Sequence, residues 1–234
     1  MGLSRLEVYP WPTADEEHGG SPHMHLACAE CYVVVSGHGR LETLDHQGPA
    51  TTELLPGDVV SFTPGTIHRA VNDGDLRVIV VMQNSGLPEA GDAVMTFPPQ
   101  YLSPDAYPAT ASLLDADGSP SPERARARRD LAVEGFTELK RQWRLGNHSA
   151  YEDFCAAAVR LVQPRLDTWE KTVNDGALTA ARTALRQIDA LRHDDFHHLS
   201  DAKVSRIAQP PRQTLGMCGF LHAYVQEAGT GTTT

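Results

Sequence analysis

His23-Met24-His25 opens the stretch HMHLACAECYVVVSG (residues 23–37), in which four residues separate His25 from Glu30 and six separate Glu30 from Gly37. In an extended strand, residues i and i+2 face the same side, so His23 and His25 point together. The four-residue gap allows a turn, after which Glu30 enters on the next strand and shares an inward face with Tyr32 and Val34. A second block lies downstream, where Gly57 is followed by Thr63-Pro64-Gly65, then His68, then Asn72. His68 completes a set of three imidazoles and one carboxylate. Such a set suits Fe, Mn, Ni, Zn or Cu rather than Ca or Mg.

Around these blocks, from Val8 to about Met95, short apolar runs alternate with turn signals: Tyr32–Val35 before Ser36-Gly37-His38-Gly39, then Arg40–Leu44, Val59–Phe62 and Leu76–Met82. That pattern reads as an all-β barrel or sandwich. Asn72-Asp73-Gly74-Asp75 reads as a tight turn. Residues 86–121 are rich in Gly and Pro and read as an ordered excursion followed by a linker. After Ser121 the period changes. Ser121-Pro122-Glu123 gives an N-cap, a proline at N1 and an acid in the first turn. Ala132, Phe136, Leu139 and Trp143 then share one helix face, and Gly146-Asn147 ends it. A second stripe runs from Tyr151 to Val173, split at Pro164, and Asn174-Asp175-Gly176 stops it. Leu178, Ala181, Leu185, Ile188 and Leu191 make a third. A short helix follows a Ser200 cap, and a last one is expected over Thr214–Gln226. The divisions are therefore 1–110 (barrel), 111–121 (linker), 122–228 (helical region) and 229–234 (disordered tail).

The two blocks resemble the cupin family. The first matches its His-x-His, x4, Glu, x6, Gly pattern without a gap. The second matches Gly-x5-Pro-x-Gly-x2-His-x3-Asn, with Thr63 in place of the first proline. Glu17 stands where a glycine six residues before the first histidine is usual, with Gly19 and Gly20 nearby. The resemblance covers about residues 5–100 and implies an α+β chain: an N-terminal cupin, a double-stranded β-helix or jelly-roll barrel, followed by a mainly α-helical C-terminal region. It implies His23, His25, Glu30 and His68 as ligands of one divalent transition metal, with Fe favoured. It also implies a homodimer, since edges of such barrels often pair.

Other residues compete for attention. His23 and His25 with Cys28-x2-Cys31 would make a Cys2His2 zinc site, but that leaves Glu30, Gly37 and His68 unexplained. Alternation instead puts Cys31 outside the barrel and Cys28 in the connecting turn. Tyr32, Phe62, Met82 and Gln83 are candidates to line the cavity, with Tyr32 and Gln83 the candidates to touch a substrate. His193, Asp194, His197 and His198 offer i,i+4 pairs near a helix end, a place where solvated histidines are favoured by the dipole. Arg124, Arg126, Arg128 and Arg129 read as a solvated helix face.

Composition narrows the classes. The 234 residues are 41% hydrophobic and 21% charged, as in a folded soluble domain. Residues 1–110 hold four arginines against fourteen carboxylates and so carry the whole net charge of −10; an acidic barrel repels nucleic acid. The first lysine is Lys140, which excludes a Schiff-base lysine in the barrel. No apolar stretch is long enough for a bilayer. Met1–Pro12 lacks a secretory pattern, and four irregularly spaced cysteines form no disulfide framework, so the expected compartment is a reducing cytoplasm. Three functions remain: a mononuclear non-haem dioxygenase-like oxidoreductase using O2 on a small organic molecule; a redox-neutral isomerase, cyclase or lyase at the same metal; and a non-catalytic small-ligand-binding module.

Overall fold

The computed structural model describes residues 2–210 and 212–224. In chain order its strands are β1 (Gly2–Val8), β2 (His23–His25), β3 (Glu30–Asp45), β4 (Gly48–Leu54), β5 (Val59–Phe62), β6 (Ile67–Met82) and β7 (Ala93–Met95). Helices α1 (Tyr107–Ala111), α2 (Pro122–Arg144), α3 (Ser149–Val162), α4 (Leu166–Val173) and α5 (Thr179–Arg192) follow, and β8 (Thr214–Leu215) and β9 (Gly219–Tyr224) return to the sheet. The architecture is α+β: an N-terminal antiparallel barrel followed by a helical region.

The frame of the barrel is the pairing of β3 with β6 along both lengths, from Glu30↔Met82 to Leu44↔Ile67. Two apparent turns prove to be kinks within these strands. The register shifts between Val34 and Gly39, where Gly37 takes φ +74 and a Cβ would lie 2.1 Å from the Asp75 carbonyl oxygen. Opposite, 72–75 is no hairpin. Asn72 stitches the bend from inside: its Oδ1 accepts from the Gly74 and Leu76 amides, and its Nδ2 donates to the Val8 carbonyl. Paired bulges bend both strands together, which closes the barrel without cutting the ladder.

The chain's C-terminal part is not the expected helix. β9 pairs antiparallel with β1, from Val8↔Gly219 to Leu3↔Tyr224. Gly216 and Gly219 weaken a helix here, while β1 offers an open row of backbone partners. The region expected to be helical therefore ends, among the described residues, in strand at Tyr224, and residues 225–228 and the expected tail at 229–234 lie outside the described residues.

The helices pack on the outside of the barrel. Ser121 caps α2 by accepting from the Arg124 amide, with Pro122 opening the helix. Its stripe buries Ala132 and Phe136 completely and half-buries Leu139 and Trp143. α2 crosses the barrel at Gly135, where a Cβ would sit 1.9 Å from the Thr96 carbonyl oxygen, and the Thr96 hydroxyl donates to the Ala132 carbonyl at 2.8 Å. Alanine normally stabilises a helix interior relative to glycine. Here Gly135→Ala should destabilise by about 1–3 kcal/mol, because backbone must move. Thermal unfolding followed by circular dichroism checks the sign: a raised midpoint would mean that α2 does not sit so close.

The arginine run is not a solvated face. Arg128 and Arg129 are buried. Arg128 donates to the Gly216 and Ala111 carbonyls, Arg129 to those of Trp11 and Pro12, and Arg124 to those of Ser112 and Ala109. Arg126 lies 4.4 Å over the Trp11 ring. These guanidiniums satisfy carbonyls that strands do not use, and so fasten α2 to the barrel's irregular segments.

Pro164 splits the second stripe as expected, with a short 3-10 turn at Gln163–Arg165 between α3 and α4. Asn174-Asp175-Gly176 does not stop α4. A π turn at Asn174–Leu178 carries the helix on into α5. Trp169 anchors α4 by donating to the Ala90 carbonyl at 3.1 Å, but α5 buries no residue. The expected helix after Ser200 is a 3-10 turn, His197–Asp201. Among the described residues, no helix is long and apolar enough to cross a membrane.

Candidate metal centre

The barrel brings the two sequence blocks to one point. His23 on β2 pairs directly with His68 on β6, and Glu30 opens β3, where it faces Met82 of β6 on one side and Phe62 of β5 on the other. The burial of β3 alternates as expected, with Glu30, Tyr32 and Val34 inside and Cys31 and Val33 turned outward. His23, His25, Glu30 and His68 are all buried, and one ligand atom from each lies within 4.8 Å of all the others.

Hydrogen bonds fix the imidazoles. His23 Nδ1 meets the Ser21 carbonyl at 2.8 Å, His68 Nδ1 meets the Thr66 carbonyl at 3.2 Å, and His25 Nδ1 meets Asp92 Oδ2 at 2.9 Å. Each partner is an acceptor, so each Nδ1 carries a proton and each Nε2 is the ring atom turned inward, toward a shared point. Glu30 Oε2 lies 3.3 Å from His25 Nε2 and 3.2 Å from His68 Nε2. Yet Glu30 Oε2 and His68 Nε2 have no hydrogen-bond partner. Short distances without hydrogen-bond geometry mean that the atoms aim at a shared point rather than at each other. Buried polar atoms left in that state are uncommon, and a cation satisfies all of them at once.

The electrostatics follow from burial and charge. Burial, with His68 and His25 nearby, pushes His23 well below its ordinary pKa. Burial also opposes a charge on His25, but the Asp92 and Glu30 carboxylates overcome it and raise its pKa to about 9. Burial works against the Glu30 carboxylate too, and His25 and His68 outweigh it, holding the carboxyl well below its usual range. A cation on His25 Nε2 therefore displaces a proton.

The site has support that the sequence does not announce. Asp92 is fully buried. Besides orienting His25, its Oδ1 accepts from the Leu26 and Ala27 amides at 3.2 and 2.8 Å. It stands 67 residues from His25, and an acid after Gly91 heading a three-residue strand looks like an ordinary turn residue. Ser21 supplies the acceptor for His23, and its own buried Oγ has no partner.

Other candidates separate. Tyr32 is buried below the cluster, its ring 6.5 Å from that of His68, and its hydroxyl contacts Cys218 Sγ at 3.7 Å rather than the ligand set. Phe62 is closer, 4.3 Å from the His68 ring. Gln83 does not line the interior: it is exposed, and its amide oxygen lies 3.5 Å from the Ala29 amide at the turn into β3. Period two puts Met82 inside instead. Cys28 is buried at that turn, accepting from the Asn84 amide, and neither Cys28 nor Cys31 joins the cluster. His193 and His197 are exposed. His193 bonds the Asp189 carbonyl of its own helix, and His197 bonds Asp195. Among the described residues, only the His23–His25–Glu30–His68 group is assembled to share an ion.

Residues 13–82 match the family described as "Cupin domain", so the barrel is a cupin. Among solved structures, the capsular polysaccharide assembling protein CapF from Staphylococcus aureus is 21% identical over 39% of this chain and 25% of its own, with a TM-score of 0.33. A Klebsiella pneumoniae protein described as having a double-stranded beta-helix domain is 22% identical, over 34% and 62% of the two chains (TM-score 0.27). A predicted oxalate decarboxylase from Thermotoga maritima is 21% identical, over 34% and 63% (TM-score 0.27). In each case the match spans less than two thirds of the solved chain. Likenesses at this level bear on neither reaction nor substrate. No curated protein matches the chain.

Proposed function

We infer, from a cupin domain that keeps its full set of three histidines and one glutamate, that this chain is a metal-dependent enzyme acting on a small organic molecule, and that its chemistry is a dioxygenase-like oxidation at mononuclear iron. The observation that carries the reading is the convergence of His23, His25, His68 and Glu30 within 4.8 Å, with the histidine Nδ1 atoms already committed elsewhere. A mixed imidazole–carboxylate set suits iron; when bound, the metal supplies a Lewis-acid and redox centre with positions for substrate and O2. The chain's own part is to hold that set rigid, through Asp92, Ser21 and Thr66, and to keep its surroundings dry, through Phe62, Tyr32 and Met82.

A redox-neutral isomerase, cyclase or lyase needs a free base beside the substrate. The buried titratable groups nearest the cluster are already engaged: Asp92 with His25 and two amides, Tyr32 with Cys218. That commitment favours oxidation.

The test is elemental mass spectrometry of anaerobically purified protein, followed by nitric oxide as a spectroscopic substitute for O2. Near-stoichiometric iron giving an iron–nitrosyl EPR signal is the expected result. Zinc, manganese or nickel in its place, without iron binding on reconstitution, would overturn the oxidative reading in favour of the redox-neutral one. Failure to bind any of these metals would leave a ligand-binding module.

A further inference from the structure

α5 is an amphipathic helix that buries none of its residues against the described part of the chain. Leu185, Ile188 and Leu191 are 65, 47 and 50% exposed and follow one another at three-residue spacing. Leu178 precedes them on the same stripe, and exposed Phe196 and Leu199 follow just beyond the helix. The helix cannot turn back onto its own barrel, because the π turn makes it a continuation of α4, whose Trp169 is fixed at Ala90. At ~1.5 Å per residue its 14 residues form an arm ~21 Å long. Exposed stripes of this kind mark interaction sites.

The same chain carries a receptor of complementary character. A groove of about 1280 Å³ runs between α2, α3 and the segment Phe97–Leu102. That exceeds the ~300–1,000 Å³ usual for a small-ligand pocket, and an open trough of this size suits one face of a helix. Its floor includes Ala127, Leu131, Leu139, Pro99 and Ala156. Its charged members are Asp15, Asp130, Glu134, Glu138 and Asp153 against one Arg160. α5 carries the opposite balance: Arg182, Arg186 and Arg192 flank the stripe, against Asp189 alone.

We propose that two copies of this chain form a dimer by exchanging arms, α5 of each lying in the α2–α3 groove of the other. An exchange satisfies both unpartnered surfaces at once and closes with two-fold symmetry. It also doubles the buried area, which a single short helix would leave below the ~1,200 Å² of a stable interface. The seated helix puts leucine and isoleucine on the apolar floor and arginines along the acidic rim.

The charges allow a test by complementation. Light scattering at roughly 100 μM, where even a micromolar dimer is filled, should give twice the 25.5 kDa chain mass for the unaltered protein. Leu185→Glu with Ile188→Glu should give monomer, with helix content unchanged because both residues are exposed. Arg182→Glu with Arg186→Glu, and separately Glu134→Arg with Glu138→Arg, should each raise the dissociation constant by about 100-fold through like-charge contact. Mixing these last two proteins restores opposite charges at both arm–groove contacts, so at roughly 10 μM, well below the raised dissociation constants, the mixture should dimerise where each component alone is mainly monomer. A monomeric unaltered protein, a dimer insensitive to these substitutions, or a mixture that stays monomeric would each overturn the proposal. The first of these would leave the groove to a basic helix of another protein.

Discussion

His68→Ala should leave the purified protein with almost no bound metal, and Asp92→Asn should weaken metal binding by about 100-fold, the upper part of the range for loss of a histidine-orienting partner. The two substitutions act differently. His68 supplies a donor atom, and its Nε2 has no other use in the fold. Asp92 supplies none; it holds the proton on His25 Nδ1. In Asp92→Asn the amide oxygen still accepts from the Leu26 and Ala27 amides, which now use Oδ1. The amide nitrogen then faces His25 Nδ1 and donates. Neutral His25 then keeps its one proton on Nε2, which has no lone pair left for a metal. Asp92→Ala gives the contrast, because it strips the Ala27 amide of its acceptor and leaves the Leu26 amide only the backbone carbonyl of residue 92 at 3.3 Å, and it should cost the fold about 1–3 kcal/mol. Anaerobic titration with Fe(II) against a chromophoric chelator, beside thermal unfolding, separates the two effects. An Asp92→Asn protein that binds Fe(II) as tightly as the unaltered one would remove Asp92 from the site; a His68→Ala protein that still loads would remove the site itself.

The residues that meet at this point were legible in the sequence for a local reason. His23, His25 and Glu30 fall within eight positions of one strand–turn–strand unit, and period two alone aims them inward. His68 needed the second block, whose Gly65 and Asn72 mark the turn and the bend on either side of it. Asp92 was not legible, since its role depends on β7 pairing with β2 (His25↔Ala93), a contact that no periodicity encodes. The same limit explains the bends in β3 and β6. Gly37 and Asn72-Asp73-Gly74 carry genuine turn chemistry, but each kink lies opposite the other and the ladder runs through both. At the C-terminal end, Phe220 to Tyr224 is too short a run to show a period, and the waiting edge of β1 made it a strand. The stripe of α5 was readable; its exposure was not, because a hydrophobic face says that a helix needs a partner without saying whose.

Arg129→Met should destabilise the protein by about 3 kcal/mol, and the reason lies in a property of arginine that a charge count hides. Four arginines in six positions look like a solvated face, and substitutions on such a face stay within about 0.5 kcal/mol. Arg129 is instead among the largest fully buried side chains. It donates to the Pro12 carbonyl at 2.6 Å and the Trp11 carbonyl at 3.3 Å, both part-buried contacts, and pairs with the solvent-facing Asp130. Methionine fills much of the volume but donates nothing, so two carbonyls lose their partner, at about 1–3 kcal/mol each when water cannot replace it. For a chain of this size the loss lowers the thermal midpoint by roughly 6–12 °C. Arg126 is the internal control. It lies over the Trp11 ring at 4.4 Å but is exposed, and Arg126→Ala should cost about 0.5–1 kcal/mol. Arg129→Lys should recover only part of the loss, since an ammonium cannot span two carbonyls in the plane of a guanidinium. Thermal and urea unfolding of the three variants gives the ordering. Equal, small effects at Arg126 and Arg129 would put Arg129 on a solvated face and remove it from the contacts that hold α2 to the barrel.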